Sequence, residues 1–171
     1  MTGSGEPVLR PATHDDIGAM AATVVEAFAG YLDFAPPGWE PPPLATEVAY
    51  LEQHFATHGT WARVAEDAGG GMAGHVLIRR GSPAIPDERV GHFGMLFVRP
   101  PWWGTGLAVR LIDAGVAAAP GLGYESLRLT TPAAHGRARR FYEREGWRLT
   151  GPPTFDRPFG MDMVVYRRSV G

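Results

Sequence analysis

The sequence has no cysteine among its 171 residues. That absence excludes disulfides, cysteine-ligated metals and thiol nucleophiles, and a reducing cytoplasm is the simplest setting for such a chain. A surplus of either charge is also missing: 16 Lys and Arg stand against 18 Asp and Glu, a formal net charge of −2. A broad footprint for nucleic acid needs clustered surplus cations, so nucleic-acid binding is disfavoured. Long apolar runs are absent as well, and no membrane-spanning helix is expected. The start, Met1 to Pro7, lacks the basic and apolar stretches of a signal peptide, so residues 1–6 read as a short flexible tail.

What is present describes one domain over residues 7–170. Hydrophobic residues make up 44% and charged residues 20%, an ordinary soluble balance. A chain of this length buries roughly 70% of the surface its unfolded form exposes, enough for a core without staples. The 23 glycines and 16 prolines cut the chain into short elements.

Alternation and apolar runs predict strands at Val8–Ala12, Thr60–Glu66, Met72–Ile78, Val90–Val98, Glu125–Thr130, Trp147–Thr150 and Met161–Arg167. Helical spacing places one stripe on Ile17, Met20, Ala21, Val24, Val25 and Phe28, after a Thr13 cap. Further helices are predicted from Leu44 to about His58, from Gly104 to Ala119 and from Gly136 to Glu145. The proline-rich stretch Ala35–Pro43 can be neither helix nor central strand. Ser82–Arg89 reads as a surface loop. Strands and helices interleave without strict alternation, which predicts an α/β fold: a mixed sheet with helices on both faces.

The run Val98–Leu111 carries the strongest chemical signal. A buried strand ends at Val98, and a loop containing Gly104 and Gly106 opens directly into a helix. Unpaired amides at such a helix start, with glycines that let a ligand approach, make a site for an anion such as a pyrophosphate. Taken on spacing alone, the two glycines fit a plain loop terminus equally well.

Here the sequence resembles the GNAT superfamily of acyl-CoA-dependent N-acetyltransferases. Its Arg/Gln-x-x-Gly-x-Gly/Ala signature is matched by Trp103-Gly104-Thr105-Gly106-Leu107-Ala108 after Val98-Arg99-Pro100. Its Asn-x-x-Ala-x-x-Phe-Tyr-x-x-x-Gly-Phe pattern is matched by His135 to Trp147. The resemblance covers nearly the whole chain. Trp103 replaces the usual Arg or Gln and His135 the usual Asn, which leaves more of the pyrophosphate contact to backbone amides. The resemblance implies a mostly antiparallel sheet of six to seven strands with a splayed central parallel pair. It implies acetyl-CoA as cosubstrate, with no metal. The pyrophosphate is then expected on Gly104, Thr105, Gly106, Leu107, Ala108 and Val109, and the pantetheine on the backbone of Leu96, Phe97 and Val98. Trp103, His135 and Arg137 join that set. Arg137, Arg139, Arg140 and Arg144 form either a solvated helix side or a contact for the 3′-phosphate.

An amine of pKa near 10.4 must shed its proton to attack a thioester, at a cost of about 4.6 kcal/mol at neutral pH. The candidates for a base are His92, Glu26, Asp33, Glu66 and Asp162. His92 shares a strand face with Gly94, Leu96 and Val98 and has a suitable intrinsic pKa. Histone-type and arylalkylamine-type relatives carry their base-linked residue at the corresponding place. Tyr142, matched to the family's tyrosine, is the expected general acid toward the departing thiolate. Glu26, Tyr31, Asp33, Phe34 and Trp39 are expected to bind the acceptor, because the segment joining the first two helices shapes that site in the family. Glu40 is a second acid able to attract an ammonium group there. Five prolines stiffen that segment and favour a walled pocket for a small amine. Relatives acting on ribosomal-protein N-termini carry a catalytic Glu where Thr130 stands here. The alternatives are a non-catalytic acyl-CoA-binding module and a protein or peptide amine acetyltransferase. His54 and His58, four apart on a helix, read as solvated surface in the absence of a third metal ligand. Trp147, Phe155, Phe159 and Met161 form a late apolar region expected to be exposed and to pair two copies in a homodimer.

Overall fold

The computed structural model describes residues 5–81 and 86–171. Most of the predicted tail and the Ser82–Ile85 part of the predicted loop lie outside these residues. The elements are β1 (Val8–Pro11), α1 (Ile17–Phe28), α2 (Leu44–Ala56), β2 (Trp61–Glu66), β3 (Met72–Arg80) and β4 (Val90–Val98). They continue with α3 (Leu107–Ala118), β5 (Ser126–Pro132), α4 (Gly136–Arg144), β6 (Arg148–Asp156) and β7 (Met161–Ser169). The seven strands form one sheet in the order β1-β2-β3-β4-β5-β7-β6, antiparallel except for the β4–β5 pair.

Local chemistry sets the ends of these elements. Thr13 precedes a short 3-10 turn, and the Asp16 carboxylate accepts its N–H at 2.8 Å. Arg10 holds the same carboxylate with two bonds of 2.9 and 2.8 Å and keeps it below the usual carboxylate range. The expected helix from Gly104 begins only at Leu107, because Gly104 (φ +75°) and Gly106 (φ +87°) hold left-handed turns that a helix excludes. The strand expected to stop at Thr150 runs on through Pro152 and Pro153 to Asp156. It is one of the two edge strands, where a missing amide donor is tolerated.

One face of the sheet packs Phe93, Leu127 and Tyr166, with Trp147, beneath Leu107, Leu111 and Ile112 of α3 and the half-buried Phe141 and Tyr142 of α4. The other packs Leu77 and Val64 beneath Ile17, Met20 and Leu51 of α1 and α2. Each such side chain contributes roughly 1.5–3 kcal/mol by leaving water. Trp147 and Met161 belong to this core, at 2% and 3% exposure, which corrects their assignment to an exposed face. Trp147, just before β6, packs on Phe93 with ring centroids 5.2 Å apart. Phe155 is exposed, and Phe159 is half-buried against Trp39. No helix among the described residues is long and apolar enough to cross a membrane.

Candidate active site

The parallel pairing of β4 with β5 covers only Val90–His92 against Ser126–Arg128. Beyond His92 the two strands diverge, so the β5-facing edge of Phe93–Val98 is left unpaired. A bulge deepens this opening. His75 pairs with Phe97 and Leu77 with Gly94, so β4 carries one extra residue there. Met95 takes φ +54° at that point, the only positive φ of a non-glycine residue among those described. Left-handed geometry in a residue with a Cβ costs of order 1–3 kcal/mol and persists only where packing enforces it. Buried His75 lies beneath, its Nε2 3.1 Å from the Met20 carbonyl oxygen, and burial pushes it down to about 4.

At the end of β4 the chain turns through Pro100–Trp102 and the two glycines into α3. Arg110 closes a helical bond to the Gly106 carbonyl at 3.1 Å, and the amides before it have no carbonyl one turn earlier. A Cβ built on Gly104 or Gly106 would meet open space, so the glycines serve the turn and leave the amides accessible. Such an arrangement, accessible amides at a helix start beside an unpaired strand edge, can cradle an anion and pair with an amide-bearing arm.

Trp103 occupies this cradle in a specific way. Its indole N–H donates to the Val98 carbonyl at 2.7 Å, taking one of the backbone groups expected for the pantetheine. The Arg137 guanidinium lies over the indole, 4.3 Å from the ring centroid. Among the described residues Arg137 makes no ion pair. Arg139 instead bonds the Tyr166 hydroxyl and the Ala133 carbonyl, a structural role. His135 caps α4, with Nδ1 accepting the Ala138 N–H at 3.5 Å.

The joining segment folds against the N-terminal cap of α4. Tyr31 and Phe34 pack on the His135 ring at 5.2 and 4.8 Å. Trp39 donates its indole N–H to the Phe159 carbonyl at 2.7 Å and packs edge-on to that ring. Phe28 and Phe97 complete the cluster, at 6.1 Å from each other. A depression of about 360 Å³ opens beside Trp39 and Phe159, with Glu40 on its rim. Burial pushes the Tyr31 phenol up to about 12. Asp33 is exposed. Glu26 is not free for an acceptor, since Arg99 bonds it at 2.9 Å.

Tyr142 lies on α4 between Phe141 and Trp147, and its hydroxyl makes no hydrogen bond among the described residues. Burial and nearby Tyr31 hold it protonated well above the ordinary phenol range. His92 is 8% exposed, and its Nδ1 is buried without a partner. Burial first, then Arg79 and Arg128, push it down to about 3. His54 is half-buried against Tyr50, with ring centroids 4.2 Å apart, and so is not the solvated surface residue expected. Glu47, not singled out from the sequence, is buried on α2 with its carboxyl pushed up by that burial.

Comparison with known proteins accords with this geometry. A model of the acetyltransferase (GNAT) family matches residues 25–147. The curated proteins gave no match. An N-acetyltransferase from Staphylococcus aureus Mu50 superposes with a TM-score of 0.76 at 17% identity, over 98% of this chain and 100% of that one. The yncA structure from Salmonella typhimurium, solved with its cofactor acetyl-CoA, gives 0.73 at 16% identity over 98% and 95%. A mutant of the spermidine N-acetyltransferase SpeG from Vibrio cholerae gives 0.63 at 17% identity over 95% and 94%. At such identities the likeness concerns the fold. The family match is broader in meaning, because it runs from α1 through the cradle to the end of α4, and on that ground the chain belongs to the GNAT acetyltransferase family.

Proposed function

We propose that this protein moves an acetyl group from acetyl-CoA to the primary amine of a small molecule by direct attack. The observation that carries the reading is the accessible cradle of Gly104–Val109 beside the unpaired edge of β4. In this reading the amides of the cradle and Arg137 hold the pyrophosphate, and Leu96–Val98 hold the arm. Acetyl-CoA supplies an activated thioester; the chain supplies position and proton traffic.

Three groups divide that work. Amides near the Met95 bulge face the developing oxyanion, a role suited to donors fixed before the reaction. Tyr142, protonated and free of other bonds, donates to the departing thiolate. His92 is assigned the proton that the amine releases, directly or through a water, although burial holds it down to about 3, below the near-neutral value that suits a base and that its residue type predicts. Its depressed basicity comes from burial and two arginines, so an anion placed on those arginines would strengthen it.

The stiff aromatic segment from Tyr31 to Trp39, packed on α4 and Phe159, supports a small acceptor over an open peptide groove. The structural neighbour from Vibrio cholerae is named for spermidine, a small amine. The cysteine-free composition supports a cytoplasmic setting. Thiol release from acetyl-CoA over a panel of small amines and N-terminal peptides tests the reading. Turnover with small amines is expected. Binding of acetyl-CoA without turnover on any acceptor would leave a coenzyme-binding module instead.

A further inference from the structure

The register of the sheet builds a row that no single stretch of sequence contains. Arg79 of β3 pairs with His92 of β4, His92 with Arg128 of β5, and Arg128 with Arg167 of β7. Arg167 in turn pairs with Arg148 of β6. Register partners share a face, so five basic side chains from five neighbouring strands line one level of the sheet. At 4.7–4.9 Å per strand the row runs about 19 Å. It lies on the face that carries α1 and α2, opposite the Phe93–Trp147 core, because successive side chains alternate.

Like charges directly opposite one another destabilise a sheet, and nothing in the row offsets them. Among the described residues, Arg79, Arg128, Arg148 and Arg167 form no ion pair. Their partners are neutral: Arg79 donates to the Tyr50 hydroxyl at 3.2 Å, and Arg167 to the Ser126 hydroxyl at 3.1 Å. One residue pair to either side, the same face presents Val90, Gly94, Ser126, Thr130, Val165 and Ser169, none of them acidic. From α2, Tyr50 and His54 face the row. Glu47 is one turn away on α2, but only burial acts on its carboxyl, so it is no counter-ion. Asp87, which feels Arg167, is bonded by Arg89 at 3.1 Å.

The buried middle of the row has an unanswered polar atom. His92 Nδ1 has no partner, and the Cδ2–Nε2 edge of the ring lies beneath Gly94, where a Cβ would stand 3.4 Å away. Gly94 thus leaves room over the imidazole. Arg128 beside it is half-buried, with its proton affinity lowered by burial and by Arg79 and Arg167. Unpaired guanidiniums flanking a neutral imidazole, at the point where β4 and β5 begin to part, form a receptor for a carboxylate or phosphonate.

We infer that the acceptor is an anionic amine, an amino acid or aminophosphonate, whose acid group sits on Arg79 and Arg128 while its amine points along β4 toward the Met95 bulge. This inference rests on the acetyl-transfer reading and narrows its substrate class. It also separates this chain from a polyamine enzyme, since a second ammonium group would meet the same cations.

Two measurements test it. The first compares kcat/KM for amines that differ only in an acid group: 6-aminohexanoate with hexylamine, phenylalanine with phenethylamine, and spermidine beside them. The acid-bearing member is expected to be at least tenfold better, and that ratio is expected to fall toward one in Arg128→Gln and Arg79→Gln. Preference for the uncharged member or for spermidine would overturn the inference, as would an equal loss for both members in the variants. The second does not require turnover: inorganic phosphate, at constant ionic strength, is expected to raise the melting temperature of the wild type clearly more than that of the Arg79→Gln/Arg128→Gln double variant, whose remaining shift belongs to the α3 cradle. A shift of equal size in the two proteins would belong wholly to the α3 cradle, and no shift at all would mean no site; either result defeats the inference. If phosphate acts through the two arginines but no amine is acetylated, the anion site stands and the acetyl-transfer reading falls.

Discussion

Arg137 lies flat over Trp103, its guanidinium carbon 4.3 Å from the centre of the indole, and the indole N–H is tied to the Val98 carbonyl. The pair joins the start of α4 to the cradle before α3. Where the family usually has a loop Arg or Gln, this chain has a tryptophan carrying an arginine from another helix. A guanidinium therefore stays beside the cradle although its position in the sequence has changed.

Removing that guanidinium should weaken acetyl-CoA binding. Arg137→Ala is expected to raise its Kd by about tenfold, the size of one lost charge-assisted contact. Trp103→Arg in the Arg137→Ala background should recover most of the loss by restoring the family arrangement. Calorimetric titration with acetyl-CoA measures both, and an unchanged Kd in Arg137→Ala would remove Arg137 from the site.

The proton groups separate by kinetic parameter. His92→Ala should lower kcat by roughly 10²–10⁴-fold, the usual range for loss of a general base. Tyr142→Phe should lower kcat while leaving the KM for acetyl-CoA nearly unchanged, because the role proposed for the hydroxyl is toward the leaving thiolate. Wild-type kcat in the His92 variant on a true substrate would pass the base role to water.

Acid should unfold this protein early. His75 and His92 are held down to about 4 and about 3 by burial, against about 6.5 in the unfolded chain. The unfolded state therefore binds protons that the fold refuses, so stability is full above pH 6.5 and falls as pH drops toward 4 and below. The loss is of order 3 kcal/mol for each histidine over that window. Urea midpoints between pH 7 and 4 measure it, and His75→Gln should flatten the slope. A midpoint independent of pH across that range would contradict the assignment.

We expect a dimer built on β6. This edge strand exposes Leu149 and Phe155, at 46% and 59%. Pro152 and Pro153 blunt its edge against open-ended pairing, which favours side-chain contact over strand addition. Light scattering should give twice 18.5 kDa, and Phe155→Glu should return the monomer mass. A monomeric wild type at working concentration would dispose of this arrangement.

The strands were legible in the sequence because alternation and punctuation are local. Each of the seven overlaps a stretch the pattern marks, although β6 runs on six residues past Thr150, and the turn before α3 follows from Gly104 and Gly106 at a strand–helix junction. Long-range relations were not legible. The core positions of Trp147 and Met161 depend on how the last hairpin closes, and proline tolerance in β6 depends on its place at the edge. The bulge at Met95 depends on the β3–β4 register. The basic row is the extreme case: Arg79, His92, Arg128 and Arg167 are far apart in sequence and become neighbours only through three separate strand pairings. Residue type and position mark His92 as a candidate base, whereas its charge environment is set by residues on β3 and β5.

The most direct measurement of the central claim is thiol release from acetyl-CoA with the acceptor panel, coupled to product mass. The account predicts that release depends on a small amine, that the product gains one acetyl group on nitrogen, and that both are lost in His92→Ala. No amine-dependent release with any acceptor, in a protein that binds acetyl-CoA, would contradict it.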